Sequence, residues 1–144
     1  MTVSHILQAK GRDVITAAPT AKVSDVARIL SERRIGAVVI TGAGGRIEGI
    51  VSERDVVRHI GKDGASALDL PVSAIMTRAV RTAREADTEA ELMSLMTAHR
   101  IRHLPVTHEG KLSGMISIGD VVKHRIEAIE REAEEMKAYI ATAG

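Results

Sequence analysis

Gly45-Arg-Ile-Glu-Gly-Ile-Val-Ser-Glu-Arg-Asp-Val-Val-Arg-His59 is written twice in this chain, the second time as Gly110-Lys-Leu-Ser-Gly-Met-Ile-Ser-Ile-Gly-Asp-Val-Val-Lys-His124. Seven of the fifteen positions are identical, and most of the others exchange like for like. Just upstream, Arg34-Ile-Gly-Ala-Val-Val-Ile-Thr41 faces Arg100-Ile-Arg-His-Leu-Pro-Val-Thr107 at an offset of 66 residues, which falls to 65 after the loop between the two blocks loses one residue. Two matches at almost one spacing mean an internal duplication, and a duplicated supersecondary unit decides the fold before any single element is assigned.

Outward from those blocks, each copy reads as β-α-β-β-α. A short strand (Val14–Thr16; Val80–Thr82) leads into a helix whose inward residues recur at i, i+3, i+4 and i+7. These are Val23, Val26, Ala27 and Leu30 in one copy and Leu92, Leu95, Met96 and His99 in the other. Thr88-Glu-Ala-Glu91 has the capping-box pattern, and Ser24 is the expected cap in the first copy. Strands over 37–41 and 47–52, and over 103–107 and 112–117, turn through Gly42–Gly45 and Glu109-Gly110. A second helix then begins near Asp55 or Asp120.

A single copy of about sixty residues is marginal alone, and pairing two copies roughly doubles the core. The predicted class is α/β, of the α+β kind, with two repeats over 1–62 and 63–126 packed as a pseudo-twofold pair. Gly61–Ser66 is the expected linker, and an extended C-terminal helix occupies 127–144. In that helix Val122, Ile126, Ile129, Ala133, Met136 and Ile140 fall at intervals of 4, 3, 4, 3 and 4. Such a seam must be covered, either by the helix's own module or by a second copy in a homodimer.

Composition narrows the function. The chain has 144 residues, 20 Lys+Arg against 19 Asp+Glu, and 44% hydrophobic residues, enough for a real core and too balanced in charge for duplex binding. Tyr139 is the only aromatic, so stacking platforms for single-stranded nucleic acid are missing. With no cysteine, disulfides, thiolate metal sites and a cysteine nucleophile fall away together. The first residues show no basic-then-apolar leader, and no apolar run reaches the roughly 18 residues of a membrane span. The expectation is a cytoplasmic protein without nucleic-acid or membrane partners.

The repeated Gly-x-x-Ser-x-x-Asp, Gly49 to Asp55 and Gly114 to Asp120, sits where a strand turns into a helix. Free amides at a helix start attract anions, a serine hydroxyl adds a donor, and an aspartate one turn in can accept both hydroxyls of a ribose. The same spacing is equally that of a plain helix cap. No Gly-x-Ser-x-Gly, Gly-x-x-x-x-Gly-Lys or His-Glu-x-x-His occurs, so catalysis is not expected. His99 and His103 are four apart, but Pro105 puts His103 on a strand, so no metal site is expected. His59 and His124 hold matching places and read as repeat inheritance on partly exposed faces.

Taken as a set, the paired units, the Gly-x-x-Ser-x-x-Asp endings and Arg100-Ile-Arg-His-Leu-Pro-Val106 resemble a tandem pair of CBS domains, the module named after cystathionine β-synthase. The resemblance implies two clefts between the copies that take AMP, ADP, ATP, S-adenosylmethionine or NAD. By matched position it assigns Asp120 and Ser117 to one cleft with Lys10, Val14, Thr16, Gly36 and Ala37, where Gly36 leaves room for adenine. It assigns Asp55 and Ser52 to the other with Met76, Thr77, Val80, Thr82, Arg102 and His103, and Arg54 reaching the same phosphate. Because Gly36-Ala37 matches Arg102-His103, the two sites should differ. The implied role is a nucleotide-sensing regulatory module acting on an unidentified effector protein. The alternative is a structural or interaction module with empty clefts that works through its C-terminal helix.

Overall fold

The computed structural model describes residues 1–143 and places the duplication in two three-stranded sheets of identical topology. The chain runs α1 (Val3–Lys10), β1 (Thr16–Ala17), α2 (Val23–Arg33), β2 (Ala37–Thr41), β3 (Ile47–Ser52), α3 (Glu53–Asp63), β4 (Ala83–Arg84), α4 (Glu89–His99), β5 (His103–His108), β6 (Lys111–Ser117) and α5 (Ile118–Ala143). In each sheet the first strand pairs parallel to the second, which pairs antiparallel to the third. The mixed α/β class, the two repeats and the long C-terminal helix are as the sequence predicts.

Differences from the sequence reading are local. The leading strands begin later than Val14 and Val80, at Thr16 and Ala83, and are two residues each. Lys22, not Ser24, is the N-cap of α2, with no side-chain bond; its chain is instead tied by the Val23 amide to the Leu70 carbonyl at 2.9 Å. Thr88 does cap α4, accepting from the Glu91 amide at 3.1 Å. The expected linker is helical: Gly61 lies inside α3, and Gly64–Asp69 winds as a 3-10 turn.

Helix α1 has no counterpart in the sequence reading, and it changes how the halves fit. Val3, Ile6 and Leu7 are buried not with the first repeat but with Ala83, Leu92, Met96, Leu104, Val106, Ile116 and Val121 of the second. Reciprocally, Val72, Ile75 and Met76 join Val23, Val26, Leu30, Val38, Ile40, Val51 and Val56 of the first. Each core thus borrows its last wall from the other repeat. The sequence copies are contiguous; the packed units are not.

The glycines that open the repeated motif permit this exchange. A Cβ on Gly114 would stand 2.7 Å from Leu7 Cδ2, and one on Gly49 would stand 2.5 Å from Met76 Sδ and 3.0 Å from the Thr77 carbonyl oxygen. Only a strand residue without a side chain lets the crossing segment lie this close. No helix among the described residues is long and apolar enough to cross a membrane.

Candidate functional site

The two strand-to-helix turns use the same chemistry. Ser52 caps α3, its hydroxyl accepting from the Asp55 amide at 3.3 Å while Asp55 Oδ2 accepts from the Ser52 amide at 2.8 Å. Ser117 and Asp120 repeat this at 3.1 and 2.8 Å. The capping role that the motif left open is therefore real in both copies, and each aspartate spends one oxygen on it. Position follows from the cap: both carboxylates are held at the junction between the halves with one oxygen to spare.

At that junction lies one large cleft of about 970 Å³. Ser52, Arg54 and Asp55 of the first repeat and Arg102 and His103 of the second line it, together with Thr77 and Val80 from the stretch that crosses between them. Gly36, Ala37 and Ser117 also reach its wall. Lys10, Val14, Thr16, Met76, Thr82 and Asp120 do not line it. Met76 is buried in the first core, and Thr16 and Thr82 are exposed elsewhere. The volume lies within the range of small-molecule sites.

Sequence reasoning missed Arg58, Arg81 and Arg100 on this wall. Arg100 ends α4 in the left-handed conformation, φ 54°, as Arg34 ends α2 at φ 53°. Arg54, Arg81, Arg100 and Arg102 have no acidic partner within 4 Å among the described residues, whereas Arg58 stands 4.0 Å from Asp55 Oδ1. A smaller hollow of about 380 Å³ adjoins the cleft and shares Arg54, Arg100 and Arg102. Unneutralised guanidinium groups around one concavity suit a phosphate-bearing anion, since each fork donates in pairs.

The Asp120 side is occupied differently. Lys10 Nζ donates to Asp120 Oδ2 at 2.5 Å and to the Met115 carbonyl at 2.7 Å. Partial burial pushes the Asp120 carboxyl up, yet the bond from Lys10, the Ser117 amide and the Lys10 charge outweigh it and hold the group below the usual carboxylate range. The room expected at Gly36 is taken by His103, whose Nε2 would stand 2.5 Å from a Cβ placed there. Burial lowers the His103 pKa below its ordinary 6.5, with Lys10 and Arg102 adding to the effect and Glu53 and Asp120 opposing it.

The matched histidines are not alike. His59 donates from Nδ1 to the Asp55 carbonyl at 2.8 Å. His124, expected on a partly exposed face, is buried, with Nδ1 3.2 Å from Glu89 Oε2. The face of α5 that carries Val121, His124 and Ala128 turns inward. Val122, Ile126, Ile129, Met136 and Ile140 are 45–63% exposed, so the seam is not covered by its own module.

Comparison with known proteins agrees with this architecture. The family model described as the CBS domain matches twice, over residues 3–62 and 72–127. A CBS domain-containing protein CBSX3, mitochondrial, of Arabidopsis thaliana is 31% identical over 96% of this chain and 71% of its own length. Among solved structures, the CBS-domain containing protein ATU1752 from Agrobacterium tumefaciens is 44% identical with a TM-score of 0.85, covering 87% of this chain and 99% of that one. The CBS domain protein PAE2072 from Pyrobaculum aerophilum, complexed with AMP, is 30% identical with a TM-score of 0.75, covering 83% and 89%.

Proposed function

We propose that this chain, which belongs to the CBS-domain family, is a non-catalytic regulatory module that takes an adenosine-containing nucleotide in the cleft between its repeats. One observation carries the reading: a cavity that joins the Ser52–Asp55 turn of one repeat to four arginines without acidic partners. In it the spare oxygen of Asp55 accepts from the ribose hydroxyls, with the Ser52 hydroxyl beside it. Backbone groups at Thr77 and Val80 meet the adenine edge, and Arg54 and Arg102 hold phosphate. A relative with 30% identity is known with AMP, which supports the adenosine half of the ligand. The adjoining arginine-lined hollow supports ligands with more than one phosphate, ADP, ATP or NAD, beside AMP. A cysteine-free chain suits a reducing compartment, and we assign the module to the cytoplasm.

The bound nucleotide acts only by preferring one arrangement of the halves or of two subunits. The uncovered apolar stripe of α5 favours a homodimer formed along that helix, with the effector a separate protein. It equally supports the alternative of an interaction module with empty clefts.

Thermal denaturation with each nucleotide tests the proposal. Ligand at one hundred times its dissociation constant stabilises the fold by about 2.7 kcal/mol. Asp55→Ala, checked for folding by circular dichroism because it also removes a helix cap, is expected to abolish the shift. No shift with any of AMP, ADP, ATP or NAD, or a shift that survives Asp55→Ala, rejects the reading. Should truncation after Ile126 then abolish assembly, the interaction module takes its place.

A further inference from the structure

The two halves of the junction satisfy the same backbone group by different means. In the first repeat the Ile50 carbonyl accepts from the Thr77 amide at 2.9 Å, so the crossing chain lies against β3 as a bridge. In the second repeat the matching carbonyl, Met115, accepts from a side chain, the Lys10 ammonium. The reason is local. Before Thr77 the chain makes only a short 3-10 turn, Val72–Ala74, whereas before Gly11 it completes the eight-residue helix α1. The Gly11 amide is spent on the Leu7 carbonyl that closes this helix, at 2.7 Å, and Lys10 must reach the sheet instead. From there its second bond follows, because Asp120 stands beside Met115 and presents an anion.

The residue at the matching place in the other repeat is Met76, buried and unable to donate. Asp55 is therefore free of an internal ammonium, with only the Arg58 guanidinium 4.0 Å from its Oδ1, whereas Asp120 carries Lys10 on Oδ2, the oxygen that also takes the cap. A ribose diol that engaged both Asp120 oxygens would compete at Oδ2 with a cation that is part of the chain and never diffuses away. The His103 ring lies over Gly36, on the wall of the open cleft.

We propose that Lys10 is a tethered occupant of the Asp120 half-site, so that the chain takes one nucleotide and the second position opens only when this ammonium is removed. The inference rests on reading the cleft as a nucleotide site. It turns Lys10 from a ligand contact into a residue that sets how many ligands are bound.

Isothermal titration with AMP and with ADP tests it on the full chain. The unsubstituted protein is expected to bind one nucleotide, lost in Asp55→Ala and kept in Asp120→Ala. Lys10→Met, which copies Met76, is expected to bind two, the second removed by adding Asp120→Ala. Lys10→Gln retains a donor for the Met115 carbonyl without the charge, and it serves if Lys10→Met unfolds. Two equivalents in the unsubstituted protein, a site there that depends on Asp120, or no gain in either Lys10 variant overturns the proposal. Absence of any Asp55-dependent site defeats the nucleotide reading instead; a site that appears at Asp120 only in the Lys10 variants would still uphold the tethered occupant.

Discussion

The Asp55 and Asp120 sides of the junction are built from one repeated unit and cap their helices through the same two bonds, yet one faces an open cleft rimmed by guanidinium groups while the carboxylate of the other holds an amine of the chain itself. Three matched pairs make the difference: Met76 against Lys10, Arg102 against Gly36, and His103 against Ala37. The capping Ser and Asp are shared because each helix start needs them whatever the cleft holds. The three differing pairs lie around the caps, where a change alters what a ligand meets without disturbing the helix. Repetition in this fold therefore specifies the scaffold twice and the chemistry once.

The largest effect is expected where the comparison concerns packing. Leu7 is fully buried in the second core and rests on Gly114, so Leu7→Ala should lower stability by about 2–5 kcal/mol in chemical denaturation. Val72→Ala, the cut on the other side of the exchange, removes a smaller side chain and should lose less. A loss for Leu7→Ala below about 1 kcal/mol, outside the range of a buried leucine, would show that α1 does not complete that core.

Next comes the arginine rim. Arg102→Gly copies Gly36 and should weaken ADP by roughly tenfold to a hundredfold, the effect of losing a charge-assisted hydrogen bond of about 1.5–3 kcal/mol. Adenosine, which lacks phosphate, should be almost unaffected. Equal losses for both ligands would mean that Arg102 shapes the cleft rather than holding phosphate.

The smallest effect is the acid response of His103. Its folded pKa lies below the ordinary 6.5, so the unfolded chain takes up a proton that the folded chain resists. Its contribution to stability is present above about pH 6.5 and lost as the pH falls from there toward the folded value. Asp120, held below its ordinary 3.8, acts in the same sense only in stronger acid. Between pH 7.5 and 5.5 the urea midpoint should therefore drop further in the unsubstituted protein than in His103→Asn. Equal drops would place the titration elsewhere.

Much of this architecture was legible because periodicity and duplication reinforce each other. The strands Ala37–Thr41 and Ile47–Ser52 stand where the pattern puts them, and so does the Thr88 cap. What escaped depends on distant partners. Helix α1 has only eight residues, and its inward face is satisfied by Leu104, Ile116 and Val121, about a hundred positions away, which no local pattern announces. Lys22 displaces Ser24 as a cap for a similar reason, since Leu70 supplies the bond that a side chain would have made. His124 looked like its copy His59 until Glu89, on another helix, closed over it. Of the site, the Ser52 and Asp55 turn and Arg102 could be read from the motif; Arg58, Arg81 and Arg100 could not, because the turn of the chain after α4 and the crossing of the repeats bring them there.

The borrowed wall also orders events in time. Val3, Ile6 and Leu7 are made more than a hundred residues before Val121, which belongs to the core they finish. A helix of eight residues does not persist in water unaided. That segment therefore has no complete core to dock into until synthesis has passed the start of α5. A segment made early thus depends on one made late.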